Sequence, residues 1–206
     1  MLYELTHAVA KVIFKLYFNL TIIGVENVPR KGGFIAAPNH KSGLDIPIVG
    51  RALPRKMYTL AKEELFNNKL QAWYLKTMGG IPLKRNSADI ESLRTAINVL
   101  KEGKPLLMFP EGTRVEADEL GVPKKGFIFI AYRAKAPILP IGLAGTKEAL
   151  PKKGGFPKPR HIVITFGKPV KVWELFNPHD KDFYEKAANY VIEEIKKCVE
   201  ISKEKL

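Results

Sequence analysis

The chain has 206 residues, enough for one sizeable hydrophobic core and few for two. Its 46% hydrophobic and 27% charged content fits a globular domain and excludes a disordered chain. A formal net charge of +13 points to an anionic partner, whether nucleic acid, lipid headgroups or a phosphorylated substrate.

The first element in chain order is a helix over residues 2–20. Glu4, His7, Lys11 and Lys15 recur every three or four residues and form one narrow polar stripe. Leu2, Leu5, Val9, Val12, Ile13, Leu16, Tyr17 and Leu20 cover the rest. Such a helix is about 30 Å long, but three charges interrupt it, which argues against a membrane span. No small-residue cleavage site follows, so a signal peptide is not indicated. The wide apolar arc predicts an amphipathic helix lying in a membrane interface, lysines toward the headgroups. Residues 1–20 are therefore set apart from a domain over 21–206.

Strand and helix alternate through that domain. Strands are expected at 21–24, 33–38, 56–61, 81–83, 106–109, 138–143 and 162–166. Helices are expected at 45–52, 68–78, 87–102 and 125–135, with a long amphipathic one at 180–204. This order predicts an α/β fold, a mainly parallel central sheet flanked by helices. Ligands gather at the carboxyl ends of such strands. His40, Arg85 and Glu111 each fall just past a predicted strand end. The single cysteine, Cys198, lies in the last helix. It can form no internal disulfide, builds no zinc site alone, and reads as a packing residue in a reducing, cytosol-facing setting.

Four blocks carry the chemistry. In His40-Lys41-Ser42-Gly43-Leu44-Asp45 an imidazole precedes a carboxylate by five residues. Neutral histidine is suited to taking a proton from a hydroxyl, and a carboxylate on its far nitrogen fixes the tautomer. That spacing predicts His40 in a turn and Asp45 near the first turn of the next helix. Gly80-Ile81-Pro82-Leu83-Lys84-Arg85 supplies two cations for an anionic group, with Arg85 the better bidentate phosphate binder. Phe109-Pro110-Glu111-Gly112-Thr113-Arg114 adds a carboxylate, a hydroxyl and a third cation. The fourth block is Ile138-Leu139-Pro140-Ile141-Gly142-Leu143-Ala144-Gly145.

In that order, over residues 21–167, the four blocks closely resemble the glycerolipid acyltransferases, and most nearly the 1-acylglycerol-3-phosphate acyltransferases. Pro82 stands where many members carry phenylalanine. The resemblance implies transfer of a fatty acyl group from acyl-CoA or acyl-carrier protein to the sn-2 hydroxyl of lysophosphatidic acid, giving phosphatidic acid. It implies His40 as general base oriented by Asp45. Lys84, Arg85, Glu111, Gly112, Thr113 and Arg114 then bind the acceptor, with Glu111 on the glycerol hydroxyl or orienting Arg85 or Arg114. No metal and no cofactor beyond the acyl donor is expected, and no nucleic-acid partner. The setting is an anionic membrane surface, the enzyme peripheral or monotopic and facing the cytoplasm.

Other readings stay open at this stage. The acceptor is alternatively glycerol-3-phosphate or another lysophospholipid, and a non-catalytic basic lipid- or nucleic-acid-binding module also accounts for the charge. Oxyanion donors are sought among the amides near Ser42 and Gly43 and at Lys62, read as helical. Ser42 lacks the glycine-framed elbow of a nucleophilic serine, which favours direct attack by the acceptor. Phe66, Leu70, Trp73, Tyr74, Leu75 and Met78 recur at roughly helical spacing and read as core, or as the wall of an apolar channel for the acyl chain.

Overall fold

The computed structural model describes residues 17–83, 88–114, 120–151 and 155–206, without the side chains at 62, 83, 88 and 89. Its strands are β1 (Leu20–Ile23), β2 (Ile35–Pro38), β3 (Tyr58–Lys62), β4 (Gly80–Leu83), β5 (Leu106–Leu107), β6 (Ile138–Ala144) and β7 (Ile162–Phe166). They form one sheet in the order β1-β7-β6-β2-β5-β3-β4. Strands β2 to β6 run parallel, as connections through crossover helices require. β7 pairs antiparallel with β6, and β1 follows β7 in parallel, so this last pair runs against the rest.

The helices are α1 (Asp45–Ala52), α2 (Lys69–Thr77), α3 (Ala88–Lys101), α4 (Gly126–Ala134), α5 (Thr146–Ala149), α6 (Val172–Leu175) and α7 (Phe183–Glu204). The predicted α/β architecture with a mainly parallel sheet is what the structure contains. Most boundaries fall within a residue or two of the expected ones. α5, α6 and the 3-10 turns at Val25–Asn27 and Glu63–Phe66 are additions, too short to leave a periodic signal. Two readings need correction. Leu20 opens β1 rather than closing a helix, and Lys62 ends β3 rather than lying in a helix. The N-terminal helix lies outside the described residues apart from Tyr17 and Phe18. Among the described residues no helix is long and apolar enough to cross a membrane.

Alternation along β2 builds a core on each face of the sheet. Ile35 and Ala37 point to one side, where Ala96, Val99 and Leu100 of α3, Phe127 and Ile128 of α4, and Val191 and Ile195 of α7 close over them. Phe34 and Ala36 point to the other, against Ile48, Val49 and Ala52 of α1 and against Phe18. α2 lies on this second side. Ile81 faces the α3 cluster, so its neighbour Gly80 faces away. A Cβ built on Gly80 would come 2.9 Å from the carbonyl oxygen of Leu75 in α2.

The tightest approach joins α7 to β6. Gly142 has no side chain because the Cys198 carbonyl carbon and the Val199 nitrogen fill the space 2.2 and 2.3 Å from where its Cβ would be. Ser202 Oγ donates to the Gly142 carbonyl at 3.1 Å and lies 2.8 Å from Thr165 Oγ1, tying α7 to β6 and β7. Burial pushes the Cys198 thiol up to about 11. It is a packing group, not a nucleophile. At the chain end, His161 Nε2 meets Thr21 Oγ1 at 2.9 Å and its Nδ1 meets the Leu206 carbonyl at 3.0 Å.

Two outcomes follow from this packing. Gly142→Ala drives a methyl group into helix backbone and should lower the unfolding free energy by about 1–3 kcal/mol or more in urea titrations. Cys198 should resist a thiolate-directed reagent at pH 8 in the native state and react promptly once urea unfolds the chain.

Candidate active site

β2 ends at Pro38, and the next six residues turn the chain into α1. Asn39 clamps the start of the turn: its side chain donates to the Leu143 carbonyl and accepts from the Leu143 amide of β6, at 3.0 and 2.8 Å. Asp45, the first residue of α1, is fully buried and closes the turn. One of its oxygens, Oδ2, accepts three bonds: from His40 Nδ1 at 2.9 Å, and from the Lys41 and Ser42 amides at 2.8 Å each. Its Oδ1 is buried and has no hydrogen-bond partner.

A carboxylate only accepts, so the shared hydrogen sits on His40 Nδ1. In the neutral ring the second nitrogen, Nε2, then carries the lone pair. The ring stacks on Phe109 at 3.6 Å between centroids and 17° between planes. Its side chain keeps 15% exposure, whereas Asp45 has none. The imidazole is thus held edge-on by Asp45, flat against Phe109, and open at one side.

Glu111 joins the two loops. Its Oε1 accepts from the His40 backbone amide at 3.0 Å and its Oε2 from the Gly121 amide at 2.9 Å. This differs from the expected substrate-facing role. Loops leaving strand ends carry amides with no ladder partner, and a buried carboxylate satisfies two of them. Gly112 sits at φ +75°, a left-handed position its lack of a Cβ permits, and its amide closes a turn onto the Phe109 carbonyl at 3.0 Å. Gly112 and Thr113 are exposed beyond that turn and Arg114 is half-buried. Lys84 and Arg85 lie outside the described residues; β4, which leads to them, ends on the same edge of the sheet as β2 and β5.

Ser42 is held inside the turn. Its hydroxyl is buried, donates to the Leu150 carbonyl at 2.7 Å and accepts from the Leu44 amide at 3.1 Å. Its own amide is committed to Asp45, which removes it from the oxyanion candidates. Beside the turn, a cavity of about 490 Å³ opens between the end of β6 and α7, with Lys41, Lys147, Lys196 and Lys203 and the acids Glu148 and Glu200 on its walls.

Sequence reasoning missed Phe109 as the ring's stacking partner, Asn39 as the clamp and Glu111 as the tether. Phe109 closes the expected strand at 106–109, and nothing local in its block marks it as a partner of the ring. The signal for Glu111 was the difficulty of placing a carboxylate beside a phosphate, which points to backbone partners instead.

Four likenesses stand beside this geometry. Residues 19–144 match the family model described as acyltransferase, more than half of the chain. The chain belongs to the acyltransferase family. It is 35% identical over 157 residues to a Bacillus subtilis protein named 1-acyl-sn-glycerol-3-phosphate acyltransferase, covering 74% of this chain and 77% of that one. A Saccharomyces cerevisiae protein of the same name is 29% identical over 186 residues, covering 88% of this chain and 61% of its own length. The crystal structure of the 1-acyl-sn-glycerophosphate acyltransferase PlsC from Thermotoga maritima superposes with a TM-score of 0.82 at 30% identity, covering 98% of this chain and 79% of that one.

The tether is directly testable. Glu111→Gln keeps one acceptor oxygen but turns an amide NH₂ toward the other backbone N–H, leaving a buried donor unpaired. Stability should fall by about 1–3 kcal/mol in thermal unfolding.

Proposed function

We propose that this chain is a 1-acylglycerol-3-phosphate O-acyltransferase with His40 as its general base. Membership of the acyltransferase family and the names borne by its relatives support the acceptor class. The observation that carries the mechanism is the His40–Asp45 pair: Nδ1 anchored at 2.9 Å on a buried carboxylate, leaving Nε2 for substrate.

In the reaction, Nε2 accepts the proton of the acceptor's sn-2 hydroxyl while that oxygen attacks the donor's thioester carbonyl. The carbonyl becomes a tetrahedral oxyanion and His40 an imidazolium, whose charge Asp45 offsets. Collapse reforms the carbonyl, breaks the carbon–sulfur bond and releases the thiolate, which takes the proton back from Nε2. The products are phosphatidic acid and the free thiol. Attack is direct, in keeping with the buried, doubly bonded Ser42 hydroxyl.

Lys84, Arg85 and Arg114 hold the acceptor's phosphate in this reading, with Gly112 and Thr113 at the loop edge. The donor is acyl-CoA or acyl-carrier protein, and the lysine-bearing cavity beside Lys41 suits the phosphate groups of such a carrier. The enzyme works at an anionic membrane surface from the cytoplasmic side, where its acceptor is found.

Thiol release from acyl-CoA, measured with and without lysophosphatidic acid, tests the reading. Release should depend on the acceptor, and a panel with glycerol-3-phosphate and other lysophospholipids should favour lysophosphatidic acid; acceptor-independent or absent release would reject it. His40→Ala should lower kcat by about 10²–10⁴-fold with an unchanged circular dichroism spectrum. Arg85→Ala should raise KM for the acceptor and leave KM for the donor nearly unaltered.

A further inference from the structure

α2 is anchored on one side only. Ala72 and Leu75 turn toward the sheet, and no residue of the helix is buried. The outward positions are not polar. Leu70, Trp73 and Tyr74, spaced i, i+3, i+4, are 74%, 53% and 52% exposed. The reading of these three as core is therefore overturned: their side chains are open to solvent.

The stripe has neighbours of the same kind. Leu65, in the turn that leaves the end of β3, is exposed. On α1, which covers the same side of the sheet, Ile46 is exposed one residue after Asp45. α2 itself carries two lysines, Lys69 and Lys76, and no acidic residue. A soluble surface seldom gathers so much aromatic and aliphatic area on one helix without a partner.

We infer that the outward face of α2 docks on an anionic lipid bilayer, with Leu70, Trp73 and Tyr74 seated at the level of the headgroups. The choice of partner follows from the chemistry of the face. Tryptophan and tyrosine present an apolar body with a polar edge and favour the membrane–water boundary. Lysines beside them place their charge among headgroups while their stems lie along the apolar stripe. The whole chain, at +13, is drawn to a negative surface. The location fits as well. α2 starts beyond the end of β3, on the edge of the sheet where β2 and β5 deliver His40 and Glu111. A lipid acceptor then enters the site from the leaflet on which the helix rests. This deepens the proposed function by naming the surface that meets the substrate's bilayer.

The chain holds two tryptophans, so Trp173→Phe leaves Trp73 as the sole reporter. With vesicles of phosphatidylcholine and phosphatidylglycerol, Trp73 emission should shift to the blue and be quenched by lipids brominated near the glycerol end of their chains. In the full chain, Leu70→Ser combined with Tyr74→Ser should lower vesicle partitioning roughly tenfold or more. Its melting temperature should be unchanged, since both side chains are exposed. The same variant should turn over a short-chain, water-dissolved acceptor normally and a vesicle-borne acceptor slowly.

Failure to bind vesicles, or binding with Trp73 still accessible to an aqueous quencher, would overturn the inference. So would lipid-free self-association abolished by the same substitutions, since the stripe would then serve a second copy of the chain. Insertion of Trp73 without turnover of any acceptor would uphold the docking surface and reject the proposed reaction.

Discussion

Three hydrogen bonds converge on one oxygen of Asp45, and the local structure around His40 follows from them. Two come from consecutive backbone amides and one from the imidazole. The amides are what make the arrangement rigid: they fix the carboxylate relative to the turn before the ring is considered. The ring then has one low-energy place to put Nδ1. Asp45 is also the first residue of α1, so the same side chain ties the turn to the start of the helix.

A second buried carboxylate does for the loops what Asp45 does for the ring. Glu111 reaches from the end of β5 to the backbone of His40 and to Gly121. Phe109, two residues earlier, lays its ring against the imidazole. The histidine block and the Phe-Pro-Glu-Gly-Thr-Arg block therefore form a single construction at the ends of adjacent strands. Loss of the backbone bond at Glu111 would therefore act directly on the turn that carries the imidazole.

Much of this was legible in the residues themselves. Apolar runs broken by glycine and proline mark the strands, and β7 matches the expected 162–166 to the residue because that apolar, β-branched run stops at Gly167 and Pro169. Asp45 at the head of α1 followed from its distance to His40. What was not legible depended on contacts between distant segments. Nothing in the sequence near Glu111 announces that its partners are the amides of residues 40 and 121. The outward turn of Leu70, Trp73 and Tyr74 was hidden for a different reason: helical spacing of apolar residues states that they share a face, and is silent on whether that face meets protein or something else. The reversal of β7 was equally invisible, because a strand's direction is set by its connection and not by its composition.

That reversal has a practical side. Since β1 and β7 run against the other strands, β1 begins on the same edge of the sheet where β2 and β5 finish. Tyr17 and Leu206 therefore both lie toward that edge, and His161 bridges Thr21 to the final carbonyl. A bulky group attached at Tyr17 or Leu206 would therefore sit beside the reaction cleft. An internal insertion at the opposite pole, for instance in the turn at Gly103 between α3 and β5, would leave the cleft unobstructed.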